Sequence, residues 1–378
     1  MNSPLVDELP TPSVVVDYEA LLANVRWAQN VAEQHGLALR PHIKTHKSSR
    51  IAQMQIDAGA VGITTSKPAE TLRFVNAGFK SITLAYPLVS QEKLLPLFAA
   101  ARDRGVELRL IADSPIGIEA IISAATQTAY SPGVFLKIDV GLHRVGVSAY
   151  SDHLLQFARK ITAETSVCFS GLLSHAGHAY GASSAGEVRV IAGQEAQLLR
   201  HARERLQSDG IEVRELSVGS TPTVLASDDY DGITEIRPGN YVFMDRTPLR
   251  LGLVSIDRIA LSVVATVVSA NDKYLIVDAG SKVLSSDAGA HGTGQLDGFG
   301  LAFPKNDYPT GGEPLIVEKL SEEHGFVRRD ARDLAIGSKV RIIPNHSCAV
   351  VNLADELTVI RNNETLETWE VSARGAAQ

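Results

Sequence analysis

The sequence predicts a (β/α)8 TIM barrel followed by a separate β-rich domain. Two observations carry that expectation. From residue 11 to about residue 250, short apolar, β-branched runs alternate with longer amphipathic stretches. Strand runs spaced by roughly 20–40 residues with helices between them mean βαβ units and a parallel sheet. Eight such runs fit this segment, the number a closed barrel needs. Beyond residue 250 the helical patterns stop and β runs follow one another, as in an all-β domain. A doubly wound open sheet is the competing arrangement for the first part, but no GxGxxG fingerprint follows the first strand to favour it.

The expected barrel strands are SVVVD (13–17), LALRPHIKTH (37–46), VGITTS (61–66), SITLAYP (81–87), ELRLIAD (107–113), VFLKID (134–139), VCFSGLLSHAG (167–177) and VRELSVGS (213–220). Helical stretches such as EALLANVRWAQNVAEQHG and EVRVIAGQEAQLLRHARERLQSDG lie between them, and Gly210 supplies a helix stop for the second. The later β runs are LSVVATVVSA, KYLIVDAG, PLIVEKL, KVRIIPNHSCAVVNL and ELTVIRN. A Gly-rich stretch from Leu284 to Pro314 reads as one long loop, of the kind that forms a functional lid. The domains expected are therefore 11–250 and 251–378, with residues 1–10 packing on the second.

Composition excludes several classes of function. The 378 residues are 44% apolar and 21% charged, values of a globular chain rather than a disordered one. A net charge of −7 without a long basic run argues against a nucleic-acid partner or an anionic membrane surface. No run reaches the roughly 18 consecutive apolar residues of a membrane span, and MNSPLVDELPTP has no signal-peptide pattern. With only Cys168 and Cys348 there is no disulfide framework, so a reduced, cytoplasmic setting is expected.

In a parallel barrel the chemistry gathers at the C-terminal ends of the strands. Sorting polar residues by that rule collects Arg40, His42, Lys44, Thr45 and His46, then Asp139, His143 and Arg144, then His175 and Tyr180, and finally GSTPT (219–223). Lys44 ends an apolar run, where an unpaired ammonium is costly, so it needs a carboxylate, an exit to solvent or a chemical role. Lys47 is the better candidate for the solvated, carboxylate-paired lysine. GSTPT, with RPGN (237–240), offers small residues, hydroxyls and free amides suited to a phosphate. A lysine at one strand end and a phosphate site at another suggest pyridoxal phosphate, whose aldehyde condenses with an amine and whose ring is an electron sink.

PHIKTHK, IDVGLHRVGV, LLSHAGHAY, VGSTPT, IRPGNYVF and PNHSC, in that order from residue 41 to 348, resemble the fold-type III pyridoxal-phosphate enzymes, within them the D-serine dehydratase and D-threonine aldolase family. The resemblance implies an alanine-racemase-type barrel with a β-domain, assembled as a homodimer and acting on a small D-amino acid. By position it makes Lys44 the Schiff-base lysine and lays His175 against the cofactor ring. It brings Arg144 to the ring hydroxyl, Tyr180 near the pyridine nitrogen, and Gly219, Ser220, Thr221, Gly239 and Asn240 around the phosphate.

The same resemblance makes PNHSC a metal motif. On an extended strand His346 and Cys348 would project to one side and share an ion. Imidazole plus thiolate favours zinc, and two protein ligands leave positions open for substrate oxygen. The resembling aldolases tend to carry a carboxylate where Cys348 stands and would use Mn2+ or Mg2+. The expectation is thus a zinc-assisted dehydratase of a D-3-hydroxy amino acid giving a 2-oxo acid and ammonia, with the aldolase reaction to glycine and an aldehyde as the rival. A non-catalytic carrier of the cofactor would resemble the barrel alone, and a purely structural zinc protein would bind no cofactor. SEEHG (321–325) is either a second acid–histidine cluster for the site or a solvated turn.

Overall fold

The computed structural model describes residues 8–289, 294–304, 308, 312–329, 333–362 and 364–378. Two compact units emerge, each drawn from separate segments of chain. One comprises Ala28–Lys44, Ile51–Gly239 and Ala376–Gln378; the other takes the N-terminal segment through Trp27, Thr45–Arg50 and Asn240–Gly375. Residues 240–250 and the segment before Ala28 go with the β-rich unit.

The first strand, β1 (Ser13–Asp17), belongs to that β-rich unit. The parallel unit begins with β2 (Ala38–Leu39) and continues through β3 (Ile63–Thr65), β4 (Ser81–Leu84), β5 (Glu107–Ala112) and β6 (Gly133–Asp139). After the short β7 (Val147–Ser148) come β8 (Cys168–Leu173), β9 (Glu215–Val218) and β10 (Glu235–Ile236). Their order in the sheet is β2-β10-β9-β8-β6-β5-β4-β3. Every neighbouring pair along it is parallel. A parallel bridge between His42 and Thr64 joins the segment after β2 to β3. Thr64 N–H also donates to the Pro41 carbonyl at 2.7 Å. The sheet is TIM-like, with seven of the expected runs in place.

Helices connect these strands for local reasons. Ser114, Ser151 and Ser184 cap helices Pro115–Thr128, Asp152–Thr162 and Ala185–Ser208 by accepting N–H groups of the first turn. Gly210, with φ +80°, ends the last of them as expected. Ile111, Phe135 and Leu173 form a fully buried cluster of the unit.

SVVVD is not a barrel strand: β1 pairs antiparallel with β11 (Leu261–Ala270) and parallel with β17 (Glu356–Arg361). Its three valines are buried, and a fully buried run looks alike in either kind of sheet. The other strands are β12 (Tyr274–Val277), β13 (Gly300–Pro304), β14 (Leu315–Leu320), β15 (Gly325–Arg328), β16 (Lys339–Pro344) and β18 (Glu364–Glu370). They run β12-β15-β14-β13-β16-β11, and β11 pairs back onto β12, closing an antiparallel barrel. β1, β17 and β18 extend from β11. Val15, Val264 and Ile360 form a core cluster against which Leu9 packs.

The expected long loop from Leu284 to Pro314 contains β13, so it is not one uninterrupted lid; residues 290–293, 305–307 and 309–311 of it lie outside those described. None of the described helices is long and apolar enough to cross a membrane.

Candidate active site

The run expected as one strand over 37–46 is a strand only at Ala38–Leu39. Pro41 has no N–H for a sheet ladder, but Arg40 N–H and His42 N–H still reach the carbonyls of Ile236 and Pro238, at 3.0 and 2.9 Å. The chain then tightens into a 3-10 turn, Ile43–Thr45. Lys44 thus sits on a turn just past the strand, with fully buried Ile43 as its anchor.

Lys44 lines a cavity of about 310 Å³ together with His42, Lys137, Arg144, His175, Gly219 and Arg237. The structure therefore brings four expected residues together: Lys44, Arg144, His175 and Gly219. Tyr180 is buried in a 3-10 turn, Gly177–Gly181, and does not line this cavity. Lys137 is new, and Arg237 opens the RPGN stretch already expected near the phosphate. Both lie inside runs that sequence reading treated as strand or turn, and a strand lysine with alternating apolar neighbours was the available signal.

None of the described lining residues is a carboxylate. Burial, with Lys44, Arg237 and Arg144 nearby, holds the His42 imidazole well below its usual range. Burial, then Arg237, likewise pulls the Lys137 ammonium well down, against Glu195 and Asp139. Burial lowers Arg144 and brings Arg237 down to about 10 despite Glu235. A cavity of this kind favours an anionic occupant.

Arg40 is not part of the cavity lining. It is buried in the interior of the parallel unit, where its Nε donates to Glu235 Oε2 at 2.7 Å. Arg109 Nη2 reaches the same oxygen at 2.8 Å and Nη1 reaches Glu215 at 2.6 Å. Burial pushes the Glu235 carboxyl up, yet Arg109, Arg40 and Arg237 outweigh it and hold it at about 2. Ser217 Oγ donates to Glu235 Oε1 at 2.5 Å and accepts from Arg237, whose other nitrogen donates to the Ser174 carbonyl.

Two turns shape the cavity wall. Asp139 Oδ1 accepts the N–H groups of Gly141 and His143 at 3.1 and 3.0 Å, and Oδ2 pairs with His143 Nδ1 at 2.8 Å. His143 is exposed and serves to fold the loop that carries Arg144. Gly219 has φ +110°, and a Cβ there would lie 3.1 Å from Val224. Ser220 caps the helix Thr221–Ala226, its own N–H spent on Thr223 Oγ1 at 2.8 Å.

Thr221 Oγ1 is buried without a hydrogen-bond partner among the described residues. That orphaned hydroxyl and the basic lining fit pyridoxal phosphate. Gly239 is half-buried. Asn240 belongs to the β-rich unit, and its amide is engaged by Asp245 at 2.7 Å and by the Ser347 hydroxyl.

In the β-rich unit PNHSC is not an extended strand. β16 stops at Pro344, His346 caps the helix Ser347–Leu353, and Cys348 is in its first turn. The two side chains interact electrostatically, Cys348 Sγ lies 3.3 Å from Thr45 Oγ1, and His346 Nδ1 lies 2.8 Å from Asp287 Oδ2. Burial pulls the His346 imidazole down, but Cys348, Asp287 and Asp245 raise it well above its ordinary range. Burial pushes the Cys348 thiol up, and His346 more than reverses this.

A carboxylate on one imidazole nitrogen beside a thiolate is a donor set that suits zinc. No third His, Cys, Asp or Glu completes a metal-binding group among the described residues. Asp287, hidden in the Gly-rich stretch, was missed. SEEHG is an exposed turn whose acids pair with Lys282, at 3.0 Å from Glu322 and 2.6 Å from Glu323. Lys47 is buried rather than solvated, and its Nζ donates to Asn352 Oδ1 at 2.8 Å.

Two family models match the chain. One described as alanine racemase, N-terminal domain, covers residues 16–247, and a putative serine dehydratase domain covers 260–360. D-threo-3-hydroxyaspartate dehydratase of Delftia sp. (strain HT23) is 32% identical over 96% of this chain and 97% of its own. Its structure superposes with a TM-score of 0.88 over 97% of this chain and 98% of its own. A structure of its Cys-to-Ala variant in the metal-free form gives a TM-score of 0.87, at 32% identity over 97% and 98% of the two chains. D-threonine aldolase of an Arthrobacter sp is 32% identical over 97% of this chain and 93% of its own. D-serine dehydratase of Dictyostelium discoideum is 30% identical over 97% of both.

Proposed function

We propose, because the chain belongs to the fold-type III pyridoxal-phosphate enzymes and within them to the D-serine dehydratase and D-threonine aldolase family, that it removes water from a D-3-hydroxy amino acid and releases a 2-oxo acid and ammonia. The observation that supports this most directly is a pair of amines, Lys44 and Lys137, in a cavity of basic side chains with no carboxylate among its described lining, Lys44 being the one in the family's motif. Pyridoxal phosphate, bound there, supplies an aldehyde for covalent attachment and a ring that accepts electrons from the substrate α-carbon.

The remaining work falls to the chain. Lys44 Nζ would hold the cofactor through its aldehyde and, as a free amine, would take the proton from the substrate α-carbon. Arg144 and Arg237 on the cavity wall would neutralise anionic oxygens of the bound ligands, and the Gly219 turn with the Thr221 hydroxyl would seat the phosphate. His175, whose Nδ1 lies 3.4 Å from the Gly219 carbonyl, would lie against the ring. His346 and Cys348 would hold a zinc ion, which supplies Lewis-acid polarisation of an oxygen.

We read the parallel sheet as a complete (β/α)8 barrel and the assembly as a homodimer in the cytoplasm; sedimentation of the holoprotein tests the dimer. The aldolase reading keeps the same residues, and Cys348, where the resembling aldolases tend to carry a carboxylate, favours dehydration over it. The deciding experiment incubates the holoprotein with D-serine, D-threonine and D-threo-3-hydroxyaspartate and assays 2-oxo acid and glycine in parallel. Release of 2-oxo acid is expected. Glycine and an aldehyde without 2-oxo acid would replace the dehydratase with the aldolase.

A further inference from the structure

Helix Ala185–Ser208 buries a stripe that includes Val188, Ile191, Ala192, Ala196, Leu199, Ala202 and Leu206. Glu195 sits on that stripe, 2% exposed. A carboxylate there is costly unless its oxygens are bonded. Oε1 accepts from three donors: Ser174 Oγ at 2.6 Å, Ala176 N–H at 3.1 Å and Gly219 N–H at 3.4 Å.

Those donors come from two separate segments. Ser174 and Ala176 flank His175 on the chain leaving β8, and Gly219 opens the turn after β9. His175 and Gly219 both line the cavity. One oxygen therefore ties together the two stretches of backbone that carry them.

We propose that Glu195 is a positioning residue of the active site, a clamp that fixes His175 relative to the Gly219 turn so that the wall fits a phosphate-bearing aromatic cofactor. The inference rests on the cofactor assignment above. All three contacts need an oxygen in that place, while the carboxylate charge also bears on Lys137 and Arg237 of the lining, so the clamp is the part of its role that hydrogen-bond acceptance carries. A glutamine keeps such an oxygen; an alanine removes it and leaves two buried N–H groups to find other partners.

The test uses the full chain with Glu195→Gln, Glu195→Ala and Ser174→Ala. Pyridoxal phosphate is titrated by visible absorbance, thermal transitions are recorded without it, and kcat is measured at saturating cofactor. Glu195→Gln should bind the cofactor within about threefold of the parent, with the same band position. Glu195→Ala should bind at least about tenfold more weakly and shift the band, the change expected for one lost buried acceptor. If Glu195→Ala fails to fold, Ser174→Ala should still weaken binding by about threefold, since it deletes one of the three bonds.

Parental affinity and band in Glu195→Ala, or in Ser174→Ala where the former does not fold, would overturn the clamp. So would a Glu195→Gln protein as impaired as Glu195→Ala, which would assign the effect to charge. A parent that binds pyridoxal phosphate but turns over none of the three hydroxy amino acids would defeat the proposed reaction and leave the titration to decide the clamp.

Discussion

Three lysines with similar sequence surroundings have different fates. Lys44 and Lys137 face one cavity, whereas Lys47, three residues from Lys44, is buried in the β-rich unit with φ +48° and bonded to Asn352. Lys44→Ala should abolish both the visible absorbance of bound cofactor and turnover, the latter by at least about a thousandfold, because covalent attachment and the base are lost together. A Lys44→Ala protein with parental activity would sink the cofactor reading. Lys47→Ala should keep the absorbance but lower stability by about 1 kcal/mol, since it deletes a buried side chain and its hydrogen bond to the exposed Asn352; denaturant titration checks this. The place of Lys44 in the cavity was legible because its run was apolar and its motif specific. The burial of Lys47 was not, because its partner lies 305 residues away in sequence.

At the scale of elements, the strands that escaped sequence reading are those with the least periodicity. β10 is two residues long, too short for any alternation, yet it carries Glu235, the anion at the centre of the Arg40–Arg109 network. β18 is exposed except at Trp369, and β13 is embedded in glycine-rich chain. Long, β-branched runs such as β5 and β6 were legible because burial on both faces leaves a continuous apolar signal. The same logic puts a test on β10. A carboxyl held at about 2 gives stability that is complete above the ordinary carboxylate range and is lost as pH falls from about 4.5 towards 2. Glu235→Gln should therefore cost on the order of 3 kcal/mol at neutral pH, by leaving two buried guanidinium groups short of a counter-charge. Urea melts at pH 7 and at stepwise lower pH should show the gap between parent and variant closing through that window. A gap that stays constant down to pH 2 would show that the network, as drawn, does not set the acid stability.

At the scale of the whole molecule, the chain builds its two units from interleaved segments, which is why a single boundary could not describe them. A strand near the N-terminus completes a sheet made mostly from the last third of the sequence, and nothing local in SVVVD announces that partner. The pair His346 and Cys348 was legible as residue types at the right spacing, while its geometry, on a helix cap beside Asp287, was not. This division of labour yields the sharpest prediction. Lys44 and Gly219 belong to one unit and the His346–Cys348 pair to the other. Removing the metal with a chelator, or His346→Ala, should thus leave the visible absorbance of bound pyridoxal phosphate intact. Release of 2-oxo acid should fall by about a thousandfold or more, because an unassisted hydroxide is a poor leaving group. Cys348→Asp is the informative partner change: a carboxylate favours harder cations and should move the product ratio towards glycine. Bound metal, absorbance and both products are measured on the same preparations, with zinc, manganese and magnesium added back separately. Metal-free protein that dehydrates D-serine at the parental rate would reduce the pair to a structural contact.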